Sequence, residues 1–227
     1  MSHTIMAKQT KGNCYLCGVE LGKTAMKNHL LKAHATEEGG ERCYLLKIDA
    51  GSYWLFVDIP LDKSLAALDK FLKDIWLECC GHMSGFLGPK VTMLGRVEAV
   101  QVGKTRKWGE LSVGGELIHE YDMGSTTACL ITIVAETVRL PQKQAVRLLA
   151  RNVPPTFECA SCGKPAEAVC CECACDYDNN PFFCATCEEE GHEHDFGMFL
   201  PITNSPRMGV CGYTGELDTF AFKMPKE

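Results

Sequence analysis

The sequence lacks any long hydrophobic run and any recognisable membrane-targeting segment. Its longest apolar stretch, Ala128 to Ala135, contains Thr132 and is far too short to span a bilayer. The stretch from Met1 to Lys8 mixes polar, basic and apolar side chains and does not read as a signal peptide. We therefore expect a cytoplasmic protein with reduced thiols, and neither a membrane protein nor a secreted disulfide scaffold.

The sequence also lacks the common catalytic motifs. No Ser–His–Asp arrangement or Rossmann fingerprint is present, and Gly103-Lys104-Thr105 matches only the end of a phosphate-binding loop. His82 and Asp122 would form an acid–base pair if the fold brought them together. The simpler interpretation is that His82 caps a helix end and Asp122 orders a turn. The sequence thus predicts a protein without catalytic residues.

Cysteine, in contrast, is abundant, with 15 among 227 residues, and charge divides the chain into three segments. Residues 1–42 carry a net charge of +2, residues 43–156 of +1, and residues 157–227 of −9. The Gly-rich stretch 37–40 and the prolines of Val153-Pro154-Pro155 mark the boundaries. We predict a zinc finger (1–40), an α+β domain (43–153), and a cysteine- and histidine-rich module with a tail (156–227).

The middle segment predicts a mixed sheet with one helix, so the fold class is α+β. Apolar residues at three- and four-residue steps from Leu65 to Cys79 indicate a helix, capped by Asp62 or Ser64. Residues 145–151 fit either a strand or a short helix. Strands are predicted from β-branched and aromatic content at 44–49, 53–59, 97–102, 116–122 and 129–137.

The N-terminal segment has the ligand spacing of a C2H2-type zinc finger. Cys14 and Cys17 are followed by His29 and His34, which gives C-x2-C-x11-H-x4-H. Two thiolates from a tight turn and two imidazoles from one helix face would complete a tetrahedron around Zn²⁺.

The helix of this finger has few residues that could read DNA. The positions equivalent to base-reading residues are Gly22, Ala25 and Asn28, of which only Asn28 is a good base reader. Lys23, Lys27 and Lys32 would contact phosphates. The finger therefore predicts weak nucleic-acid contact, and a solvated helix face with lysines is an equally good interpretation.

The C-terminal segment has the ligand spacing of a cross-brace, in which two sets of four ligands interleave. The first and third pairs, Cys159/Cys162 and Cys184/Cys187, would hold one zinc ion. The second and fourth pairs, Cys170/Cys173 and His192/His194, would hold another. The layout resembles B-box and ZZ-type fingers, which mostly bind proteins or peptides. Several alternatives stay open, because Cys171 or Cys175 could replace a neighbour, one histidine could be a bystander, and Cys211 could be a spare ligand or a packed thiol.

With the finger, this cross-brace predicts three zinc ions. The acidic run Glu188-Glu189-Glu190 makes the module a poor partner for phosphates. We expect it to bind a protein or a basic peptide instead.

Part of the middle segment resembles a known family. The residues from Trp76 to Phe86, followed later by Tyr121-Asp122-Met123-Gly124-Ser125, are similar to the ORF-three-like family, named after the root-inducing (Ri) plasmid. Its members are often labelled TnpR-like passenger proteins of insertion sequences. The resemblance covers roughly residues 43–140 and implies an α+β domain with a mobile-element history, but no activity. This chain has Ser125-Thr126-Thr127 where the family has an acidic, Trp-containing run.

Three hypotheses of function follow. The leading one is a nucleic-acid-associated regulator without catalytic activity, contacting double-stranded DNA through the finger and a protein through the acidic module. The second is a protein-interaction adaptor whose zinc sites are purely structural. The third, a metal-dependent hydrolase or an enzyme using His82 and Asp122, is the least favoured.

Overall fold

The computed structural model describes residues 10–91, 96–175, 179–189, 198–215 and 220–225, and within these ranges the chain is mostly β-structure. The strands are β1 (Lys11–Cys14), β2 (Glu20–Gly22), β3 (Glu41–Ala50), β4 (Tyr53–Pro60), β5 (Ser84–Val91), β6 (Val97–Val102), β7 (Glu116–Tyr121), β8 (Thr127–Arg139), β9 (Arg147–Asn152), β10 (Ala168–Cys170), β11 (Phe182–Phe183) and β12 (Phe199–Pro201). The α-helices are α1 (Lys23–Ala33), α2 (Leu65–Leu72), α3 (Cys171–Ala174) and α4 (Ala185–Glu189), with a π-helical turn at Lys73–Leu77 and a 3-10 turn at Trp108–Glu110.

Nine strands form one sheet in the order β2-β1-β9-β4-β3-β8-β7-β5-β6, and β11-β10-β12 form a second, small sheet. Every neighbouring pair in the large sheet is antiparallel, so the prediction of a mixed sheet is wrong in this respect. β3 and β4 are joined by a tight turn, and β7 and β8 by a short connection. Such short connections are possible only between antiparallel neighbours. The ambiguous segment 145–151 contributes a strand, β9.

The finger hairpin is an extension of the large sheet. β1 pairs with β9, with Gly12 opposite Asn152 and Cys14 opposite Ala150. A side chain at Gly12 would collide with the ring of Trp54, so glycine permits this close approach. The three-unit division stays a prediction, but the first unit is hydrogen-bonded into the second.

Helices cover both faces of this sheet. On one face, Leu65, Leu68 and Leu72 of α2 are fully buried against Leu55 and Ile131 of the sheet, within the larger hydrophobic core. The predicted helix is shorter than expected, because it passes into the π-helical turn after Leu72 and Glu78 is already extended.

On the other face, α1 covers only one end of the sheet. Met26 and Leu30 are fully buried, together with Leu45, Trp54 and Phe56, in a second hydrophobic core. The finger helix therefore packs on the large sheet, which positions the metal ligands of the finger against it.

A buried ion cluster lies close to this second core. Asp58 of β4 accepts hydrogen bonds from Nε of Arg139 at 2.8 Å and from Nη2 of Arg147 at 2.9 Å. Asp58 and Arg139 are only 3% and 1% exposed. The carboxylate of Asp58 thus pairs with two guanidinium groups, and Glu37 lies 3.7 Å from Arg147 as a second, weaker partner.

Within the described residues, no helix is both long enough and apolar enough to cross a membrane.

Candidate metal centres

Among the described residues, three groups of four cysteine and histidine side chains can each hold a metal ion. In each group the four ligand atoms lie within 4.8 Å of one another. We name them the finger tetrad (Cys14, Cys17, His29, His34), the C-terminal tetrad (Cys159, Cys162, Cys184, Cys187) and the tail tetrad (Cys79, Cys80, His82, Cys211).

The finger and C-terminal tetrads begin with the same backbone turn. In the finger, Gly18 donates its amide to the carbonyl of Cys14 and has a φ of +80°. In the C-terminal module, Gly163 donates to the carbonyl of Cys159 with a φ of +72°. Both turns read C-x-x-C-G, and glycine is required because other residues are strained at this φ. The turn brings two thiols together without help from distant residues.

The finger tetrad is completed by His29 of α1 and by His34, which caps the C-terminal end of this helix. Cys17 Sγ lies 3.2 Å from Nε2 of His29, and the two imidazole rings meet at 4.9 Å. In a tetrahedral zinc site with Zn–S near 2.3 Å, a sulfur and a nitrogen ligand are about 3.5 Å apart. The distance of 3.2 Å between Cys17 Sγ and His29 Nε2 is close to this value.

His34 fits the role of a metal ligand. Its Nε2 is buried and has no hydrogen-bond partner among the described residues. Burial lowers the pKa of His34, and the neighbouring His29 lowers it further. The neutral imidazole is the form that binds zinc, so this environment favours coordination.

The C-terminal tetrad combines the first and third pairs of the predicted cross-brace. Cys162 Sγ and Cys184 Sγ are 3.6 Å apart, close to the edge of about 3.8 Å between two sulfurs on one zinc ion. Backbone amides, that of Cys184 first, hydrogen-bond to Cys159 and lower its pKa to about 6. A thiolate at neutral pH is the metal-binding form of cysteine.

The pKa of Cys187, in contrast, is raised by the neighbouring thiols. Hydrogen bonding with the Cys162 side chain is the main cause that raises the pKa of Cys187 to about 12. Four thiols therefore do not all ionise side by side without a cation, and a bound zinc ion deprotonates its thiol ligands outright. The donor set and its electrostatics fit a zinc ion.

The second predicted set of the cross-brace is described only in part. Cys170 and Cys173 are buried in the C-terminal module, whereas His192 and His194 lie outside the described residues. The alternatives Cys171 and Cys175 are described, the first half-buried and the second exposed.

The tail tetrad was not predicted as a metal site. Cys80 Sγ lies 3.0 Å from Nε2 of His82 and 3.6 Å from Sγ of Cys211, and Cys79 Sγ is 3.9 Å from Cys80 Sγ. Nε2 of His82 is also 3.2 Å from Cys211 Sγ. These distances are again close to those between two ligand atoms of one tetrahedral zinc ion.

A buried arginine positions the tail, residues 200–215, beside this tetrad. Arg207, fully buried, donates to Oδ2 of Asp122 at 2.5 Å and to the carbonyl of Ser125 at 2.6 Å. The hydroxyl of Ser205 donates to the carbonyl of Trp76 at 2.6 Å. These bonds bring Cys211 next to the loop that carries Cys79, Cys80 and His82.

His82 and Asp122 do lie close together, with Nε2 of His82 3.5 Å from Oδ2 of Asp122. Hydrogen bonding from Arg207 is the main cause that lowers the pKa of Asp122 to about 2. Oδ1 of Asp122 accepts the amide of Gly124, which is the turn-ordering bond expected from the sequence. Asp122 is therefore a poor proton acceptor near neutral pH.

The residues predicted to contact nucleic acid are only partly available. The ammonium of Lys23 is paired with Asp49 at 2.7 Å, and Lys27 is half-buried. Asn28 and Lys32 are exposed on α1.

Comparisons with known proteins assign no family to this chain. No family model matches it, and no curated protein does. A solved structure of a protein of unknown function, MM3350 from Methanosarcina mazei Go1, is similar over 52% of this chain and 70% of that chain. The two share 14% sequence identity, with a TM-score of 0.39.

Proposed function

We propose that this protein is a non-catalytic binding protein in which zinc is structural, and that its acidic C-terminal module contacts a basic segment of another protein. The observation that carries the proposal is that each tetrad supplies four protein ligands. A catalytic zinc site keeps one position for water or substrate, whereas structural sites are closed by four protein ligands. Four protein ligands per ion therefore support a structural rather than a catalytic role for zinc.

Charge supports a protein partner for the C-terminal module. Between residues 157 and 189, the described part carries five glutamates and one lysine, Lys164. Glu158, Glu167 and Glu189 are exposed. A surface of this sign attracts basic segments and repels phosphates.

All 15 cysteines are free thiols in the structure, and zinc thiolate sites need reduced thiols. A cytoplasmic location is therefore part of the proposal.

The resemblance of residues 43–140 to the ORF-three-like family adds a link to mobile elements, also as a proposal.

The binding proposal predicts that a lysine-rich peptide binds the zinc-loaded protein and that salt weakens the complex. Exchanging Glu189→Lys together with Glu158→Lys should reduce the affinity, because both carboxylates face solvent on the module. The measurement is fluorescence anisotropy of a labelled peptide at two salt concentrations. Glu98→Lys, an equally exposed site on β6 of the large sheet, is the matched control and should have little effect. An equal loss of peptide affinity in the Glu98→Lys control, or no peptide binding by the wild-type protein, would contradict the proposal.

Nucleic-acid binding is the second candidate, and one observation favours it. Asn28 and Lys32 are exposed one helical turn apart on the same face of α1. Against it, Lys23 is held in an ion pair with Asp49, which also pairs with Lys47. The two remaining lysines of the helix would release few counterions from DNA.

We expect a random-duplex DNA library to show no motif enrichment on the zinc-loaded protein. The double variant N28A and K32A should retain the library to the same extent as the wild-type protein, at low and at high salt. Enrichment of a short motif that the double variant loses would reverse the order of the two candidates.

A further inference from the structure

The ligands of the tail tetrad come from distant parts of the chain. Cys79, Cys80 and His82 follow the π-helical turn, and Cys211 lies in the tail. The finger tetrad, in contrast, is contained within residues 14–34, and the C-terminal tetrad within residues 159–187. An ion at the tail tetrad would close a long loop, which is where a metal crosslink restricts the chain most.

The tail tetrad is also the most accessible of the three. Cys80 and Cys211 are exposed, and Cys79 and His82 are half-buried. In the other two groups at least one thiol is buried, Cys14 in the finger and Cys159 and Cys184 in the C-terminal module. A chelator or a zinc-donating molecule can therefore reach the tail tetrad without unfolding of the sheet.

The backbone at Cys211 requires support from its surroundings. Its φ is +53°, in the left-handed region that residues other than glycine rarely adopt. Arg207 and Ser205 hold the preceding turn, and a Cys211–zinc bond would hold the residue itself. When that bond is absent, the conformational cost at Cys211 favours release of the tail.

The same tail forms one wall of a cavity of about 390 Å³. Thr203, Asn204 and Tyr213 line it from the tail, together with Tyr15 of the finger and Asn152 of β9. Asn204 and Asn152 hydrogen-bond to each other through their side-chain amides at 2.7 Å. Docking of the tail therefore determines whether this cavity is closed on that side.

We propose that the tail tetrad is an exchangeable zinc site, loaded and unloaded independently of the other two, and that its occupancy docks the tail and shapes this cavity. Three sulfurs and one nitrogen are a donor set that selects zinc over the hard cations. Zinc binds only the docked tail with four ligands, so free zinc stabilises the docked state by mass action. The inference rests on the proposed zinc-binding role of the tetrads.

The test follows zinc release from the zinc-loaded protein after addition of a chromogenic chelator. We expect one zinc ion to leave in a separate, faster phase, and Cys211→Ser to remove that phase. Cys17→Ser, which removes a ligand of the finger tetrad, is the matched control and should keep it. Persistence of the fast phase in Cys211→Ser overturns the proposal.

Hydrogen exchange of the wild-type protein keeps the proposal testable if Cys211→Ser fails to fold. Amides of residues 210–215, which follow the turn held by Ser205 and Arg207, should lose protection together with the fast phase, while those of 11–33 keep theirs. Unchanged protection of the tail, or release of all zinc in a single phase, overturns this inference alone. A wild-type protein that binds no zinc overturns both it and the proposed function.

Discussion

Replacing Cys162 by serine is expected to unfold the C-terminal module while the nine-stranded sheet stays folded. The module has almost no hydrophobic core of its own, because the buried cluster there consists of Phe183 and four cysteines. Structural zinc contributes about 10–16 kcal/mol of apparent binding free energy in small zinc modules, and that free energy is folding free energy. Without it, so small a segment does not stay folded.

Hydrogen exchange measured by mass spectrometry provides the readout for this variant. Amides of β10 and α4 should exchange at the rate of an unfolded chain in Cys162→Ser, whereas those of β3 and β8 keep their protection. Cys43→Ser is the matched control, since Cys43 is a buried thiol outside all three tetrads. Native-like protection of β10 and α4 in Cys162→Ser would show that metal is not what folds the module.

The second large effect is expected for Asp58→Ala, which removes the carboxylate between Arg139 and Arg147. Breaking a buried ion pair by deleting one partner leaves an uncompensated charge and costs about 3–5 kcal/mol of the free energy of unfolding. Arg139 has no alternative carboxylate in its described ion pairs, and its Nη1 and Nη2 are buried without hydrogen-bond partners in the described part of the chain. The loss should therefore lie toward the upper end of that range.

Denaturant titration of the zinc-loaded protein measures this effect. Asp62→Ala is the control, because Asp62 is 65% exposed in its ion pair with Lys63. An exposed pair of this kind contributes about 0–1 kcal/mol. If both variants unfolded at the same denaturant concentration, the ion cluster would have no stabilising role.

Local patterns in the sequence were sufficient for most strands of the sheet. Alternation in Glu116–Tyr121 places Leu117, His119 and Tyr121 inward, and the structure buries all three. β6 begins and ends at the predicted residues, Val97 and Val102. These strands were predicted from β-branched and aromatic content, which the sequence displays directly.

β5 was missed because its composition is unusual for a strand. It contains Gly85, Gly88 and Pro89, which usually indicate turns. The proline is tolerated because β7 pairs with β5 only as far as Leu87, so at Pro89 the strand has a partner on one side only. The pairing between β1 and β9 likewise could not be predicted from the sequence, since no local pattern specifies a contact between residues so far apart.

The metal centres also divide into those that local sequence patterns predict and one that they do not. The C-x-x-C-G turns and the spacing from His29 to His34 are local, so the sequence alone predicts the finger and C-terminal groups. The tail tetrad depends on Arg207 and Asp122 bringing two distant segments together. The one local signal was Cys79-Cys80-Gly81-His82, three metal-binding side chains within four residues.

The most direct test of the account is the number of zinc ions per chain, counted by native mass spectrometry in the wild-type protein and in three variants. Cys17→Ser, Cys162→Ser and Cys211→Ser each remove one ligand from a different tetrad. We predict that Cys17→Ser and Cys211→Ser each hold one zinc ion fewer than the wild-type protein, and that Cys162→Ser, in which the C-terminal module unfolds, holds at least one fewer. A variant that keeps the full wild-type count would show that its tetrad is not a zinc site.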